Sequence, residues 1–151
     1  MLHVALWEPE IPPNTGNVAR LCAATGTVLH LVGRLGFRLD DRQLRRAGLD
    51  YWPHVEVRQH TTLEELESAL PDSRIIPVSS KVRRPYSREH YRDADCLLFG
   101  SESKGLPETV LRRFAENAVT IPMPAGRVRS LNLATAVGIV LYEALRQLNG
   151  W

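Results

Sequence analysis

The sequence lacks several features that define common classes of protein. No apolar run among its 151 residues reaches the roughly 18 needed to cross a bilayer, and no signal-peptide pattern opens it. Its two cysteines, Cys22 and Cys96, form no metal-binding or redox motif, and its five histidines show no ligand spacing. The sequence therefore predicts a cytoplasmic protein with reduced core thiols, no membrane segment and no bound metal.

Motifs of several enzyme classes are missing as well. No glycine-rich fingerprint follows the first apolar segment, and there is neither a Walker A loop nor a His-Glu-x-x-His pair. A standard dinucleotide-binding or Rossmann methyltransferase site is therefore not predicted. Ser101 and Lys104 match the Ser-x-x-Lys pattern of penicillin-binding enzymes, but the Lys-Thr-Gly and Ser-Asp-Asn partners are absent. A serine hydrolase is thus a remote alternative, which a serine-directed probe would test.

Positive charge is concentrated in two segments although the formal net charge is only +2. The basic residues of these segments are Arg34, Arg38, Arg42, Arg45 and Arg46 in the first, and Lys81, Arg83, Arg84, Arg88 and Arg92 in the second. The aromatic residues Tyr51, Trp52, Tyr86 and Tyr91 lie beside them in the sequence. Basic clusters with interleaved aromatic rings suit phosphate contact and base stacking, so nucleic acid is the predicted partner.

Apolar strand patterns alternate with helical patterns along the chain. Strands are predicted at residues 2–7, 27–32, 54–58, 74–79, 96–100 and 118–123, and helices at residues 15–25, 41–47, 62–70, 107–114 and 130–148. Thr62 and Glu65 form a capping box, and His30 is predicted to be a core histidine with satisfied nitrogens. The alternation predicts one α/β domain over residues 1–151, with a mainly parallel sheet and helices on both faces.

Two loops at predicted strand ends carry polar residues in suggestive places. After the first strand, Asn17 and Arg20 share a helix stripe that points away from the core, near free N–H groups that favour an anion. After the strand at 96–100, the sequence Gly100-Ser-Glu-Ser-Lys-Gly-Leu-Pro107 puts Glu102 at the edge where open α/β sheets bind ligands. Gly100 and Gly105 are predicted to permit close approach of backbone to ligand.

The last thirty residues combine a rigid loop, a basic tip and an apolar helix. Pro122 and Pro124 follow the strand pattern, and Arg127 and Arg129 follow the prolines. Ser130 is predicted to cap a helix whose apolar residues cover more than one face, so that the helix is buried on two sides. Its small residues, Ala134, Ala136 and Gly138, are predicted to allow another backbone to approach closely. Together these features indicate a site.

Taken together, three stretches resemble the three motifs of the SPOUT-superfamily RNA 2'-O-ribose methyltransferases. They are Pro13-Asn-Thr-Gly-Asn17-x-x-Arg20, Gly100-Ser-Glu-Ser-Lys-Gly-Leu-Pro107, and Ile121-Pro-Met123 followed by Arg129-Ser-Leu-Asn132. The stretches Leu6-Trp-Glu-Pro-Glu-Ile-Pro-Pro-Asn and Leu44-Arg-Arg-Ala-Gly-Leu-Asp-Tyr51 resemble the TrmL/YibK branch. That branch methylates the ribose of the wobble nucleotide, position 34, in leucine tRNAs.

The resemblance implies a fold, a cofactor and an assembly. The fold is an α/β sheet whose C-terminal segment passes through a loop as a deep trefoil knot, and the protein is a homodimer. S-adenosyl-L-methionine is the implied cofactor. The residues implied to bind it are Val78, Ser79, Gly100, Glu102, Gly105, Ile121, Met123, Ser130 and Leu131.

The resemblance also implies roles in the reaction. Arg20, Asn17, Glu102, Ser130 and Asn132 match the catalytic positions. Because a guanidinium keeps its proton at neutral pH, we interpret Arg20 as a donor that holds the adjacent phosphate and stabilises charge on the 2'-oxygen. Asn17 and Asn132 would orient Arg20, and Glu102 would fix loop geometry. The residues predicted to contact the tRNA anticodon stem-loop are Arg42, Arg45, Arg46, Lys81, Arg83, Arg84, Arg127, Arg129 and Tyr142.

Two alternatives stay open at this point. One is the same chemistry on another tRNA position or on ribosomal RNA. The other, from a different class, is a non-catalytic RNA-binding dimer that retains the fold. Thermal stabilisation by S-adenosylmethionine separates the two classes, because a protein that binds RNA alone gains nothing from the cofactor.

Overall fold

A parallel sheet of five strands forms the centre of the protein. The computed structural model describes residues 1–40, 42–48 and 51–151, and of residues 45, 47 and 48 the backbone alone. The strands are β1 (His3–Trp7), β2 (Val28–Val32), β3 (Val57–His60), β4 (Ile75–Val78) and β5 (Cys96–Phe99). They are ordered β3-β2-β1-β5-β4, and each neighbouring pair is parallel. The predicted α/β class with a parallel sheet is confirmed.

Helices cover both faces of this sheet, as predicted. They are α1 (Pro12–Thr25), α2 (Arg42–Gly48), α3 (Leu63–Ala69), α4 (Glu108–Arg113) and α5 (Leu133–Asn149), with 3-10 turns at Trp52–His54 and Tyr86–Arg88. Buried residues of α1 and α5 pack with Val4 and Leu6 on one face of β1, whereas those of α3 and α4 pack with Ala5 on the other. Successive strand residues point to opposite faces, so both faces of β1 are buried.

The helix starts show where simple capping rules succeed and fail. At α3, the Thr62 hydroxyl accepts the Glu65 N–H at 3.2 Å, as the predicted capping box requires. The Glu65 carboxylate accepts the N–H of Thr61, one residue before the cap, at 2.6 Å. Helix α1 begins at Pro12, three residues before the predicted start, because prolines need no N–H partner in the first turn. The predicted start of α2 at Asp41 lies outside the described residues.

The predicted cap of the last helix is wrong. Ser130 precedes the helix and is exposed, and α5 begins at Leu133. Its cap is Asn132, whose Oδ1 accepts the N–H groups of Ala134 at 3.0 Å and Thr135 at 3.3 Å. An asparagine oxygen two or three residues before these donors satisfies both of them.

Two predicted strands also differ from the structure. Pro53 lies in the 3-10 turn Trp52–His54, so β3 begins only at Val57 and runs to His60. The predicted strand at 118–123 is reduced to bridges at Val119 and Thr120, because prolines 122 and 124 have no N–H to continue the ladder. Thr120 nevertheless pairs with the chain at Arg84 and Tyr86, which holds this segment beside the end of β4. The trefoil knot stays a prediction.

A row of three histidines crosses three strands diagonally, from the start of β1 through the middle of β2 to the end of β3. His30 on β2 is fully buried; its Nε2 lies 3.0 Å from Nδ1 of His3, and its Nδ1 lies 2.9 Å from Nε2 of His60. His30 is therefore a core histidine with both nitrogens satisfied, as predicted. Burial first, then the neighbouring His3 and His60, lower the pKa of His30 from 6.5 to about 3.

Both cysteine thiols are free and buried, as predicted. Burial raises the pKa of Cys22 to about 12 and raises that of Cys96 as well. Within the described residues, no helix is long and apolar enough to cross a membrane, and no group of three or more His, Cys, Asp or Glu is placed to hold a metal ion.

Candidate active site

A cavity of about 540 Å³ opens at the carboxyl ends of β4 and β5. Its walls are the segment after β4 (78–81), the loop after β5 (99–106) and the segment before α5 (129–133). Thr120, Ile121 and Met123 complete one side, and Ile11 and Asn14 at the start of α1 complete another. The volume lies within the range of small-molecule and cofactor sites.

The predicted cofactor residues all line this one cavity. Four separate segments of the chain contribute them: Val78 and Ser79; Gly100, Glu102 and Gly105; Ile121 and Met123; Ser130 and Leu131. Asn132, a predicted catalytic residue, also lines it. Val78, Ile121 and Leu131 give the cavity apolar wall, while Ser79 and Ser130 add hydroxyl groups. Residues that are far apart in the sequence thus converge at one place.

Glu102 joins two of the loops around the cavity. Its carboxylate accepts the backbone N–H of Glu10 at 2.9 Å and that of Ile11 at 2.8 Å, and it accepts Nδ2 of Asn14 at 3.2 Å. Hydrogen bonds to a charged acceptor are about twice as strong as neutral ones. These contacts are those of a residue that fixes loop geometry, the role that the sequence assigned to Glu102.

Asn14 extends this link to the third loop. It is 9% exposed, and its Oδ1 accepts Nδ2 of Asn132 at 3.1 Å while its own Nδ2 donates to Glu102. Asn132 in turn caps α5. A continuous chain of contacts, Glu102–Asn14–Asn132, therefore connects the loops after β5 and β1 with the start of the last helix. Sequence reasoning missed Asn14, although its position between Pro13 and Asn17 in the first motif could have indicated it.

A second, independent contact joins the same two loops. Oε1 of Glu10 accepts the backbone N–H of Ser103 at 2.9 Å and its hydroxyl at 2.6 Å. The hydroxyl and then the N–H of Ser103 lower the pKa of the Glu10 carboxyl. Glu10 was also missed, because a single carboxylate in a loop carries no periodic signal.

Gly100 lines the cavity and is also required by the folding of its own loop. A Cβ at Gly100 would lie 2.1 Å from the carbonyl carbon of Gly105, so a larger residue has no space there. The N–H of Gly105 donates to the Ser101 carbonyl at 2.9 Å and closes the loop. Gly105 itself has φ of +67° and open space around its Cα. Gly100 allows the loop to fold on itself, and Gly105 makes its turn.

Ser101 and Lys104 do not form a nucleophile–base pair. Ser101 is buried, Lys104 is exposed, and the contact between them runs from the Lys104 backbone N–H to the Ser101 hydroxyl at 3.3 Å. A Cβ at Gly138 would meet only the side chain of Leu21, at 3.7 Å, within the part of the chain that the structure describes. The close approach of another backbone to Gly138 stays a prediction.

Arg20 and Asn17 lie outside the cavity. Both are exposed on α1, as the helical spacing predicted, and neither lines the cavity of its own chain. The guanidinium carbon of Arg20 lies 4.8 Å from the ring centre of Tyr51, a cation–π contact. The structure therefore separates two predicted catalytic residues from Glu102, Ser130 and Asn132.

The predicted RNA-binding residues fall into three groups. Lys81 and Arg129 line the cavity; Arg42, Arg46, Arg83, Arg127 and Tyr142 are exposed elsewhere; and the Arg45 side chain lies outside the description. Arg84 instead donates to the buried Glu89 carboxylate at 2.6 Å, so its charge is already paired. Tyr91 is buried and donates its hydroxyl to the Tyr86 carbonyl, which removes it from the predicted stacking surface.

The comparisons with known proteins agree with this architecture. A family model described as "SpoU rRNA Methylase family" matches residues 1–142. A tRNA (cytidine(34)-2'-O)-methyltransferase of Escherichia coli strain K12 is 46% identical over 149 residues, which cover 98% of this chain and 94% of that protein. The chain therefore belongs to the SpoU rRNA methylase family, which confirms the resemblance stated from its motifs.

Solved structures give the same picture. One, described as "Structural insights into the 2-OH methylation of C/U34 on tRNA", is 53% identical and superposes with a TM-score of 0.95 over 100% of this chain and 98% of the other. An AdoMet-bound rRNA methyltransferase from Sinorhizobium meliloti is 30% identical, with a TM-score of 0.86 over 97% of this chain and 56% of that one.

Proposed function

We propose that this protein is a tRNA 2'-O-ribose methyltransferase. It transfers a methyl group from S-adenosylmethionine to the ribose 2'-hydroxyl of the wobble nucleotide, a cytidine or modified uridine at position 34, in leucine tRNAs. The observation that carries the proposal is the single cavity on which all nine predicted cofactor residues converge. The name of the relative from Escherichia coli supplies the position and the nucleotide.

The residues of the cavity fit S-adenosylmethionine. Val78, Ile121 and Leu131 offer apolar wall to the adenine ring, and the exposed ammonium groups of Lys81 and Lys104 are opposite in charge to a carboxylate. When bound, this cofactor supplies an electrophilic methyl group on a sulfonium. The Glu102–Asn14–Asn132 contacts hold the surrounding loops in place before any ligand enters, so little ordering is left for binding.

Arg20 acts on the RNA. Its cation–π contact with Tyr51 fixes the direction of the guanidinium but leaves its N–H groups free, because a stacked ring uses the face of the group and not its donors. Those donors hold the phosphate beside the target ribose and stabilise charge on the 2'-oxygen. Water or RNA phosphate takes up the 2'-proton, since a guanidinium is not a base at neutral pH.

The active assembly is a homodimer in which Arg20 serves the cavity of the partner copy. Arg20 is exposed on α1, outside its own cavity, and α1 packs beside α5. Helix α5 keeps Tyr142 and Leu148 at 44% and 40% exposure after it has packed on the sheet. A second copy seated on this apolar face buries it and brings Arg20 towards the other active site.

The exposed basic side chains complete the RNA-binding surface. Lys81 and Arg129 hold phosphates at the cavity, and Arg42, Arg46, Arg83 and Arg127 extend the positive surface away from it. The substrate is the anticodon stem-loop, and the protein acts in the cytoplasm, where tRNA is modified. The C-terminal segment passes through the loop that follows β4 and forms the trefoil knot.

Transfer of labelled methyl from S-adenosylmethionine to unmodified and native tRNAs tests the proposal, with Arg20→Ala beside the wild type. Arg112→Ala is the matched control, because Arg112 is an exposed arginine of α4 that pairs with Glu108 and does not line the cavity. We expect label on the ribose of the first anticodon nucleotide of leucine tRNAs, lost in Arg20→Ala and retained in Arg112→Ala. Label at another nucleotide or on ribosomal RNA keeps the chemistry and overturns the target.

Cofactor binding separates the remaining outcomes. Thermal stabilisation by S-adenosylmethionine without transfer to any RNA would favour an RNA-binding protein that has lost catalysis. An absence of stabilisation would overturn the assignment of the cavity.

Co-expression tests the shared site. Arg20→Ala and Leu131→Trp, which blocks the cavity, are each expected to be inactive alone. In a mixed population about half of the dimers carry both changes on different copies, and each such dimer keeps one intact site, which restores about a quarter of the wild-type activity. No recovery would place Arg20 in the cavity of its own copy.

A further inference from the structure

A second cavity lies at the same edge of the sheet, on the other face. Its volume is about 740 Å³, and it lies between the starts of α3 and α4. The ends of β1 and β2 form its floor through Trp7, Glu8, Gly33 and Arg34. The remaining wall comes from residues 61–64 and from α4 with the proline that precedes it. None of the residues assigned to the methyl-transfer site lines this cavity.

The charged side chains around this cavity differ in their partners. Arg113 contacts Glu64 at 3.3 Å and Glu67 at 2.7 Å, and the Glu8 carboxylate accepts the backbone N–H of Arg34 at 3.1 Å. The guanidinium of Arg34 is exposed, and among the described residues it contacts no carboxylate and no ring. The lining therefore presents the Arg34 guanidinium without an ion-pair partner among the described residues, beside the Glu8 carboxylate, whose partner is a backbone N–H. A guanidinium with unused donors suits one phosphate.

Trp7 gives the cavity an aromatic wall. It is partly buried and packs against the core cluster that contains Leu63 and Val110. Its indole N–H has no acceptor among the described residues, although a partly buried tryptophan usually finds one. An aromatic face beside an unpaired donor suits a nucleobase, which offers a stacking surface and edge acceptors.

The two cavities share one loop. Residues 99–106 of the loop after β5 line the cofactor cavity, and Pro107, the next residue, lines the second. Glu8, which lines the second cavity, is two residues from Glu10, which holds Ser103 of the same loop. Two short stretches of chain, residues 8–10 and 103–107, therefore join the two cavities along the carboxyl edge of the sheet.

We propose that the second cavity binds one nucleotide that flanks the methylated ribose, with its base on Trp7 and its phosphate on Arg34. This inference rests on the proposed function, because it needs an RNA substrate at the first cavity. The contact with the base is sequence-tolerant, since every base has a face that stacks on an indole ring.

The test combines protein variants with altered RNA. The affinity of an anticodon stem-loop is measured by fluorescence anisotropy for the wild type, Trp7→Leu, Trp7→Phe and Arg34→Gln. Each protein is measured with the normal loop and with loops in which the nucleotide on the 5' or 3' side of the target is abasic. Arg38→Gln is the control, because Arg38 is exposed four residues further on, pairs with Asp40, and does not line the cavity.

For one of the two abasic loops, we expect the wild type and Trp7→Phe to bind roughly tenfold more weakly than they bind the normal loop. Trp7→Leu is expected to bind the abasic and the normal loop equally well. Arg34→Gln is expected to reduce the slope of log affinity against log salt concentration by about one counterion. The slope for Arg38→Gln is expected to be closer to that of the wild type. S-adenosylmethionine affinity should be unchanged in every variant, which also shows that each one is folded.

Equal effects of abasic loops on wild type and Trp7→Leu would overturn the inference, as would equal salt slopes for Arg34→Gln and Arg38→Gln. Methyl transfer by the wild-type protein is measured on the same loops. If the wild type transfers methyl but the effect of the abasic site does not depend on Trp7, the inference about the second cavity is wrong and the proposed reaction stands. If the RNA binds and the effect of the abasic site depends on Trp7 but no methyl is transferred, the proposed reaction is wrong and the second cavity remains an RNA site.

Discussion

Acidification should destabilise this protein through the row His3–His30–His60. The folded protein holds His30 neutral, with its pKa lowered to about 3, whereas the unfolded chain restores it to its ordinary value of 6.5. Between these two values the unfolded state binds a proton that the folded state does not. The stability is therefore fully present above pH 6.5 and falls as the pH drops from 6.5 towards 3.

The size of the loss follows from the two pKa values of His30. Between pH 7 and pH 5 the His30 ring of the unfolded chain becomes almost fully protonated, whereas that of the folded protein stays neutral. The free energy of unfolding should decrease by about 2 kcal/mol over that interval from His30 alone. Burial first lowers the pKa of His3 and of His60 too, so both add to the loss in the same direction.

Urea unfolding at several pH values between 5 and 7.5 measures this effect. His30→Gln removes the titrating ring and should flatten the pH dependence even though it lowers stability at pH 7. His54→Gln is the control, because His54 is exposed in the turn Trp52–His54. NMR of the wild-type histidine rings gives a direct reading: one ring should keep its neutral shift down to pH 5. A wild type that loses no stability between pH 7 and 5, or a His30→Gln protein with an unchanged slope, would refute the reasoning.

Three further predictions concern the loops and the core. Gly100→Ala should abolish cofactor-dependent thermal stabilisation and lower the Tm, because its Cβ has no space beside Gly105; a protein as stable as the wild type would contradict this. Asn132→Ala should lose about 1 kcal/mol of stability and most methyl transfer, because it removes the cap of α5 beside the cavity. Thr62→Ala, which removes the cap of α3, should lose about 1 kcal/mol of stability and keep its activity. Urea unfolding and methyl-transfer assays on both variants measure these effects. The two buried thiols should not react with a disulfide reagent at pH 8 until the protein is unfolded. Reaction of either thiol in the native protein would contradict this prediction.

The alternation of elements could be predicted because β1, β2, β4 and β5 are mainly apolar and the long helices α1 and α5 have periodic apolar residues. The order of the strands could not be predicted, because β1, β2, β4 and β5 are buried on both faces and no sequence pattern shows which of these strands lies at an edge of the sheet. Only β3, with exposed Arg58 and Gln59, shows the half-polar pattern of an edge strand.

Site residues divide in a similar way. The cavity residues could be predicted because they belong to short motifs with fixed spacing, which the resemblance placed together. Glu10 could not be predicted, since its role depends on donors of Ser103, 93 residues away. The motif around Asn14 could have indicated a site residue, but its contact with Glu102, 88 residues away, could not be predicted. Ser130 and Asn132 are both good capping residues, and the choice between them depends on the contact of Asn132 with Asn14, 118 residues away.

That long-range contact sets the order in which the protein can mature on the ribosome. All five strands have been synthesised when β5 ends at Phe99, but Asn132 follows only after a further stretch that takes about 2 to 7 s at 5 to 20 residues per second. During this interval a complete set of strands lacks α5, whose Val137, Val140, Leu141 and Ala144 are fully buried in the finished core. A nascent chain of this protein therefore carries an uncovered apolar face for seconds, which makes it a natural client for chaperones that bind near the ribosome exit.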